Sequence, residues 1–325
     1  MSVTLQPLNG AALAKHREFS DFFARPIKTL STKERRSEAP DALTWAGGRA
    51  VSCGRDGTLK IWRPEKQSEE KYFSGDWSGV AGNFYSDVFY ACSLGGKVAR
   101  FDLRVGGIVG ESNVDGLDKA LGIFLKEDQQ ELGIYTRSDA VQILDDNLEK
   151  KFPVIQLSSE VTGLCWDAQD ALWVALGGRE GRIRVYGNLN LMETADNVPL
   201  VLHAHQASTN CISQAGNFIV SGGADGLVGV WDSRKRACIK TFGGSTAGVT
   251  CLSTHRELVV WGCGSKEGGD SALYFAGITT GKQYLAHPTI GPVSKVAWGS
   301  ENLLAYGLQN GSESGSIQFV SLNNS

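Results

Sequence analysis

His205, Ser221 and Asp225 lie within one short stretch of this chain, and they are the residue types of an acyl-transfer triad. In such a triad the histidine takes the serine proton and the carboxylate orients the imidazole. That use also needs a sharp nucleophile elbow and an oxyanion loop, and neither accompanies Ser221. A second candidate is the Gly-rich run Gly262-Cys263-Gly264-Ser265-Lys266-Glu267-Gly268-Gly269, which suggests a phosphate cradle. Its order does not fit the G-x-x-x-x-G-K-S/T loop, and no helix pattern follows to cap the phosphates. It reads as a wide hairpin loop, and so does Gln309 to Gly315. Histidines stand at 16, 203, 205, 255 and 287, but His203 and His205 could ligate a metal only with partners the sequence does not identify. Asp145-Asp146 and Glu127-Asp128 fall in turns, where solvated carboxylates are the default. No general acid–base constellation emerges. The expectation is a chain with no catalytic residues, no metal, no cofactor and no small-molecule substrate.

The elements that would carry these residues repeat. Asp56-Gly57 leads to Trp62, and Asp225-Gly226 leads to Trp231-Asp232. The same six-residue step takes Gly95 to Phe101-Asp102, Ser138 to Leu144-Asp145 and Glu180 to Tyr186. Each step is a tight turn, an alternating strand and a bulky residue. The bulky positions are 62, 101, 144, 186 and 231, a period of 39 to 45 residues. Strand repeats of that length signal a β-propeller, an all-β ring of blades. Two further repeats keep the strand order without the six-residue step: Val249 to Leu252, Leu258 to Cys263 and Ala272 to Phe275, then Val293 to Trp298, Leu303 to Leu308 and Ser316 to Leu322. Seven blades are expected, the last two with long turns before their third strands.

Only Asn323, Asn324 and Ser325 follow Leu322, so the last blade has no chain left for a fourth strand. An unpaired edge there would leave the ring open. Pro26 to Leu30 is the best extended candidate to close it. Residues 1–25 form a separate arm and 26–325 the seven-bladed propeller. Within the arm, Ala12, His16, Phe19 and Phe23 fall at helical spacing with Phe22 alongside. That pattern describes an amphipathic helix of about three or four turns, with Asn9 as N-cap and Pro26 beyond its end. Phe19, Phe22 and Phe23 would dock this helix on the propeller itself or on a partner.

Composition narrows the class. The 325 residues carry a net charge of -3, which argues against a protein whose main task is neutralising nucleic-acid phosphates. Seven cysteines, an odd number without a CxxC pair, sit mostly inside apolar strand patterns. They read as reduced, buried hydrophobes. Met1 to Gly10 shows no basic region followed by an apolar run, so no signal peptide is expected. No apolar stretch approaches the length of a membrane span. Cytosol or nucleus follows.

The spacing of His205, Ser221, Asp225 and Trp231 resembles the structural hydrogen-bond tetrad of WD-repeat blades. Trp231-Asp232 closes a Ser-Gly-Gly-Ala-Asp-Gly hairpin, which marks a WD-repeat protein. A narrower resemblance runs through His203-Ala204-His205, Asn210-Cys211-Ile212, Ser221 to Val228 and Ala237-Cys238-Ile239. It includes Glu160-Val161 with Trp166, Gly181-Arg182-Ile183 with Tyr186, and the tail from Val296-Ala297-Trp298 to Gly315-Ser316-Ile317. These segments resemble the WD-repeat subunit of the THO/TREX messenger-RNA export complex. Arg17-Glu18-Phe19 matches its N-terminal arm. Gly95 and Ser138 at the turns of blades two and three depart most from the pattern. The resemblance implies a nuclear, non-enzymatic scaffold, with large helical subunits as direct partners and RNA contacted mainly by the assembly. Trp231-Asp232-Ser233-Arg234 also fits the WDxR box of substrate receptors for cullin-RING ubiquitin ligases, and Phe101-Asp102-Leu103-Arg104 nearly does. That is the alternative.

One surface pattern remains. Arg55, Arg137 and Arg179 each precede a tight turn in blades one, three and four. Equivalent turns share one face of a propeller, so the three should form a basic arc for an acidic peptide or a phosphate. Leu94 interrupts it at blade two, with Lys97 just past that turn.

Overall fold

The computed structural model describes residues 28–31 and 39–321 apart from 55, 67, 115–118, 127–130, 180, 188, 190–197, 265–270, 301–302 and 311–313. The helix expected at 9–23, with Phe19, Phe22 and Phe23, falls outside the described residues, and so does Arg55. The described residues form seven four-stranded antiparallel sheets. Six follow chain order from the channel outward; blade one is Pro40–Ala46, Arg49–Gly54, Leu59–Arg63 and Ser68–Phe73. Blade seven is Val293–Trp298, Leu303–Asn310, Ser314–Ser321 and, outermost, Lys28–Ser31. Lys28–Ser31 pairs antiparallel with the third strand, Lys28 opposite Ser321 and Ser31 opposite Gln318. The segment expected there was 26–30, of which 26 and 27 lie outside the described residues. The two strands of blade seven expected to end at Leu308 and begin at Ser316 pair further, out to Asn310 and Ser314.

Side-chain alternation explains the ring. Successive residues of a strand face opposite sides, so each blade offers one apolar face to each neighbour. Seven buried clusters result, one per junction. Val51, Leu59 and Ile61 meet Trp77, Phe89 and Phe101 between blades one and two. Trp45 and Trp62 meet Ala305, Ile317 and Phe319 between one and seven. The latter cluster seals the two ends of the chain together, and Trp45 Nε1 donates to the Ala297 carbonyl at 2.9 Å.

The outermost strands are the elements the sequence pattern did not mark. Ser68–Phe73, Gly107–Asn113 and Ala237–Phe242 are largely exposed, so they carry no apolar stripe. The innermost strands share a feature that is equally silent in sequence. All seven carry an irregularity near their start, and the residue just past it is Ala42, Gly79, Gly122, Gly163, Cys211, Cys251 or Lys295.

Candidate functional site

Blade five gathers His205, Ser221, Asp225 and Trp231. His205 Nδ1 lies 3.1 Å from Asp225 Oδ1, and His205 Nε2 lies 2.9 Å from Ser221 Oγ. Trp231 Nε1 donates to the same Ser221 oxygen at 2.9 Å. The donors fix the tautomer. Indole N–H gives to serine, serine O–H gives to Nε2, and Nδ1–H gives to the carboxylate. Burial lowers the His205 pKa, against the opposing pull of Asp225, which suits this neutral relay. Asp225 also caps its turn, accepting from the backbone N–H groups of Gln206 and Leu227 at 3.0 and 3.1 Å. The Ser–His–Asp connectivity is that of a hydrolase triad, but Ser221 is 0% exposed. Its oxygen already accepts the indole N–H, and no substrate can reach it.

Other blades keep fragments of this wiring. In blade one Trp62 Nε1 donates to Ser52 Oγ at 2.8 Å, and Asp56 caps Thr58 at 3.0 Å. In blade two Phe101 replaces the tryptophan, and Ser93 and Asp76 cap the turn through Lys97 and Gly95. Blade four shows a clasp that sequence reasoning missed. Asp167 accepts the Trp173 indole N–H at 2.9 Å and the backbone N–H groups of Gln169 and Ala171. Among the described residues it occurs in one blade, so no repeat flagged it.

Of the basic arc, Arg137 and Arg179 are exposed at the turns between second and third strands in blades three and four. Neither has an ion-pair partner among the described residues. The structure therefore brings two of the three arginines to one face. Arg234 is exposed at the end of the third strand of blade five. Arg104, at the equivalent place in blade two, is held by Asp102 through bonds of 3.0 and 2.6 Å. Those bonds keep the Asp102 carboxyl down at about 2.

The innermost strands enclose a central cavity of about 680 Å³. Cys165, Cys211 and Cys251 line it. Burial raises the Cys251 thiol to about 11 and the Cys165 and Cys211 thiols as well, so none is a ready nucleophile. All seven cysteines are free, five of them buried. Among the described residues no three histidine, cysteine or acidic groups converge as a metal site.

Comparison with known proteins agrees with this architecture. A family model described as WD domain, G-beta repeat matches residues 197–232, the segment that holds the tetrad. The chain is 24% identical over 297 residues to THO complex subunit 3 of Arabidopsis thaliana, covering 86% of this chain and 90% of that one. It is 22% identical over 260 residues to WD repeat-containing protein AAC3 of Dictyostelium discoideum, covering 70% of this chain and 53% of that one. Among solved structures, the WD40 repeats of RRP9 superpose with a TM-score of 0.76 at 14% identity, over 92% of this chain and 100% of that one. The structure of U3-55K gives 0.75 at 14% identity, over 90% and 98%. The chain carries a WD repeat at 197–232 within a seven-bladed propeller, and it resembles a THO complex subunit over most of its length.

Proposed function

We propose that this protein is a non-enzymatic scaffold subunit of a nuclear THO-type complex that couples transcription to messenger-RNA packaging and export. The observation that carries the reading is the likeness to THO complex subunit 3, which runs through 86% of this chain and 90% of the relative. A likeness confined to one blade would speak only of the fold. The closed Ser221 supports the non-enzymatic part, since this triad-like constellation is spent on holding a turn. Large helical subunits are the direct partners in this reading, and RNA is met through the assembly. Residues 1–25 act as an arm whose Phe19, Phe22 and Phe23 contact a partner or the propeller. Arg55, Arg137 and Arg179 seat an acidic partner segment on one face. The segment ending at Ser31 clasps the last blade.

Affinity purification of the full chain from nuclear extract, with co-purifying chains identified, tests this. Recovery of large helical export-complex subunits is expected, weakened by Arg55→Glu with Arg179→Glu and more so at low salt, where screening is least. The melting temperature of that double variant should barely move. Recovery of a cullin-ligase adaptor that is lost on Arg234→Ala, with no export subunits, would replace the reading.

A further inference from the structure

The position just past the inner-strand irregularity is filled by small residues in blades one to six: Ala42, Gly79, Gly122, Gly163, Cys211 and Cys251. Space enforces this at least in part. A Cβ on Gly79 would fall 2.8 Å from Cys92 Sγ and 2.9 Å from Gly122 Cα. A Cβ on Gly122 would fall 2.3 Å from the Tyr135 ring. Blade seven places Lys295 at this position, opposite Gly307. Cys211 and Cys251 likewise face Gly222 and Gly262, where a Cβ would fall 2.7 and 2.9 Å from their sulfurs, whereas the space at Gly307 is taken by Pro40 and Ser294. A lysine at position 295 brings a charge into a partly buried channel, which is unfavourable without a compensating acceptor.

Lys295 is half-buried, lines the cavity, and has no hydrogen-bond or ion-pair partner among the described residues. The cavity is lined by Lys126, Arg256 and Lys295 against one carboxylate, Asp41. Lys126 is already engaged by Glu131 and Asp170 at 3.4 and 2.9 Å.

We propose that Lys295 anchors a carboxylate-binding site in the central channel, which takes an aspartate or glutamate side chain presented by an acidic segment of a partner protein. One unpartnered ammonium matches one negative charge, whereas a polyphosphate would need several. The strand rise puts Lys295 about 7 Å inside one mouth of the channel, two residues from the start of its strand. An extended acidic side chain and the lysine can span that depth. The turns between second and third strands surround the same mouth, because neighbouring strands run antiparallel. Exposed, unpaired Arg137 and Arg179 therefore flank the approach. A charge-assisted bond from the ammonium to a carboxylate supplies the acceptor that the protein lacks. The site does not depend on which complex the protein joins.

The test is fluorescence anisotropy of the full chain with a dye-labelled Glu/Ser peptide and its Gln/Ser counterpart. Wild type should bind the Glu peptide about ten-fold more tightly than the Gln peptide, equivalent to about 1.4 kcal/mol. Lys295→Met and Lys295→Gln should erase that ratio while melting at or above the wild-type temperature. Arg137→Ala with Arg179→Ala should weaken Glu-peptide binding without removing the effect of Lys295→Met. Equal binding of the two peptides by wild type, or a ratio that survives both Lys295 variants, overturns the proposal. Displacement of the Glu peptide by inorganic phosphate at about ten-fold lower concentration than by acetate overturns the carboxylate assignment in favour of a phosphate.

Discussion

Blade five and blade three turn the chain at the same place by different means. In blade five the turn is wired. Asp225 caps it, His205 and Ser221 carry the bond inward, and Trp231 anchors the far end. In blade three Leu144 stands where the tryptophan would be and has no donor. Thr136 and Ser138 share one hydroxyl contact at 2.8 Å, and Thr136 accepts the Ala140 N–H. What both blades keep is a residue with positive φ just after the turn begins: Gly226 at 78° and Asp139 at 60°. The backbone requirement is therefore general, and the side-chain relay is a local addition. Blade three folds without it because Leu144, Leu132 and Ile134 join the apolar cluster shared with blade two.

Blade seven extends the contrast, since its outer edge is completed by residues from the other end of the chain. Removing residues 1–31 should have the largest effect of any change considered. It deletes a row of ladder hydrogen bonds and exposes an edge, so the loss is expected to reach several kcal/mol at about 1 kcal/mol per bond. Urea denaturation of the truncated and full chains measures it. A truncated protein with an unchanged midpoint would show that blade seven, like blade three, stands on its apolar cluster alone.

Asp225→Ala comes next. It leaves the Nδ1–H of the buried His205 and two backbone N–H groups without their acceptor. About 3 kcal/mol of lost stability is expected, by analogy with other broken buried networks. Thr136→Val in blade three removes the Ser138 contact and a long bond from the Ala140 N–H, with no buried imidazole left unpaired, and should cost about 1 kcal/mol. Equal losses in the two blades would mean the relay adds nothing to its turn.

Acid should find the same difference. Burial lowers the pKa of His205 below its ordinary 6.5, so the unfolded chain binds that proton more tightly. The stability it contributes is complete above about pH 6.5 and is lost as pH falls from there toward the folded value. His287, also lowered by burial, adds a slope of the same sign. The melting temperature should therefore fall on acidification from pH about 7 to about 5, and less steeply in His205→Gln. Identical slopes would separate the relay from the titration.

These contrasts show why the sequence was readable in some places and silent in others. The relay of blade five rests on residues at fixed offsets along one stretch, and the spacing of Ser221, Asp225 and Trp231 carries it. The period survives in blade three because Leu144 keeps the bulk of the missing tryptophan. The outer strands do not show, because Ser68–Phe73 is polar and exposed and has no stripe to read. The ring of small residues beside the channel is invisible for another reason. Gly79, Gly122 and Gly163 become equivalent only once the seven blades are superposed, and Lys295 looks ordinary until then. Lys126 and Asp170 join the turns of blades three and four at 2.9 Å, a contact between repeats that no pattern within one repeat predicts.

The smallest prediction exchanges the two turn residues. Gly226 has φ 78°, and a Cβ there would lie 3.1 Å from the Ser245 carbonyl oxygen and 3.3 Å from that of Ala247. Gly226→Asp should therefore cost about 1 to 2 kcal/mol, from the left-handed backbone and the crowding together. Asp139 already occupies that backbone region at φ 60°. Asp139→Gly removes the side-chain clash with the backbone but enlarges the freedom of the unfolded chain. The two terms oppose, and aspartate tolerates this region better than most residues. A net change within about 0.5 kcal/mol of zero, on the stabilising side, is expected. Thermal denaturation of the two single variants and the exchanged double variant resolves it. The turns lie in separate blades and share no partner, so the double variant should equal the sum of the singles within about 0.5 kcal/mol. A cost for Asp139→Gly comparable to that of Gly226→Asp would mean that the Asp139 carboxylate holds blade three's turn by a bond of its own, and the two blades would then differ less than their wiring indicates.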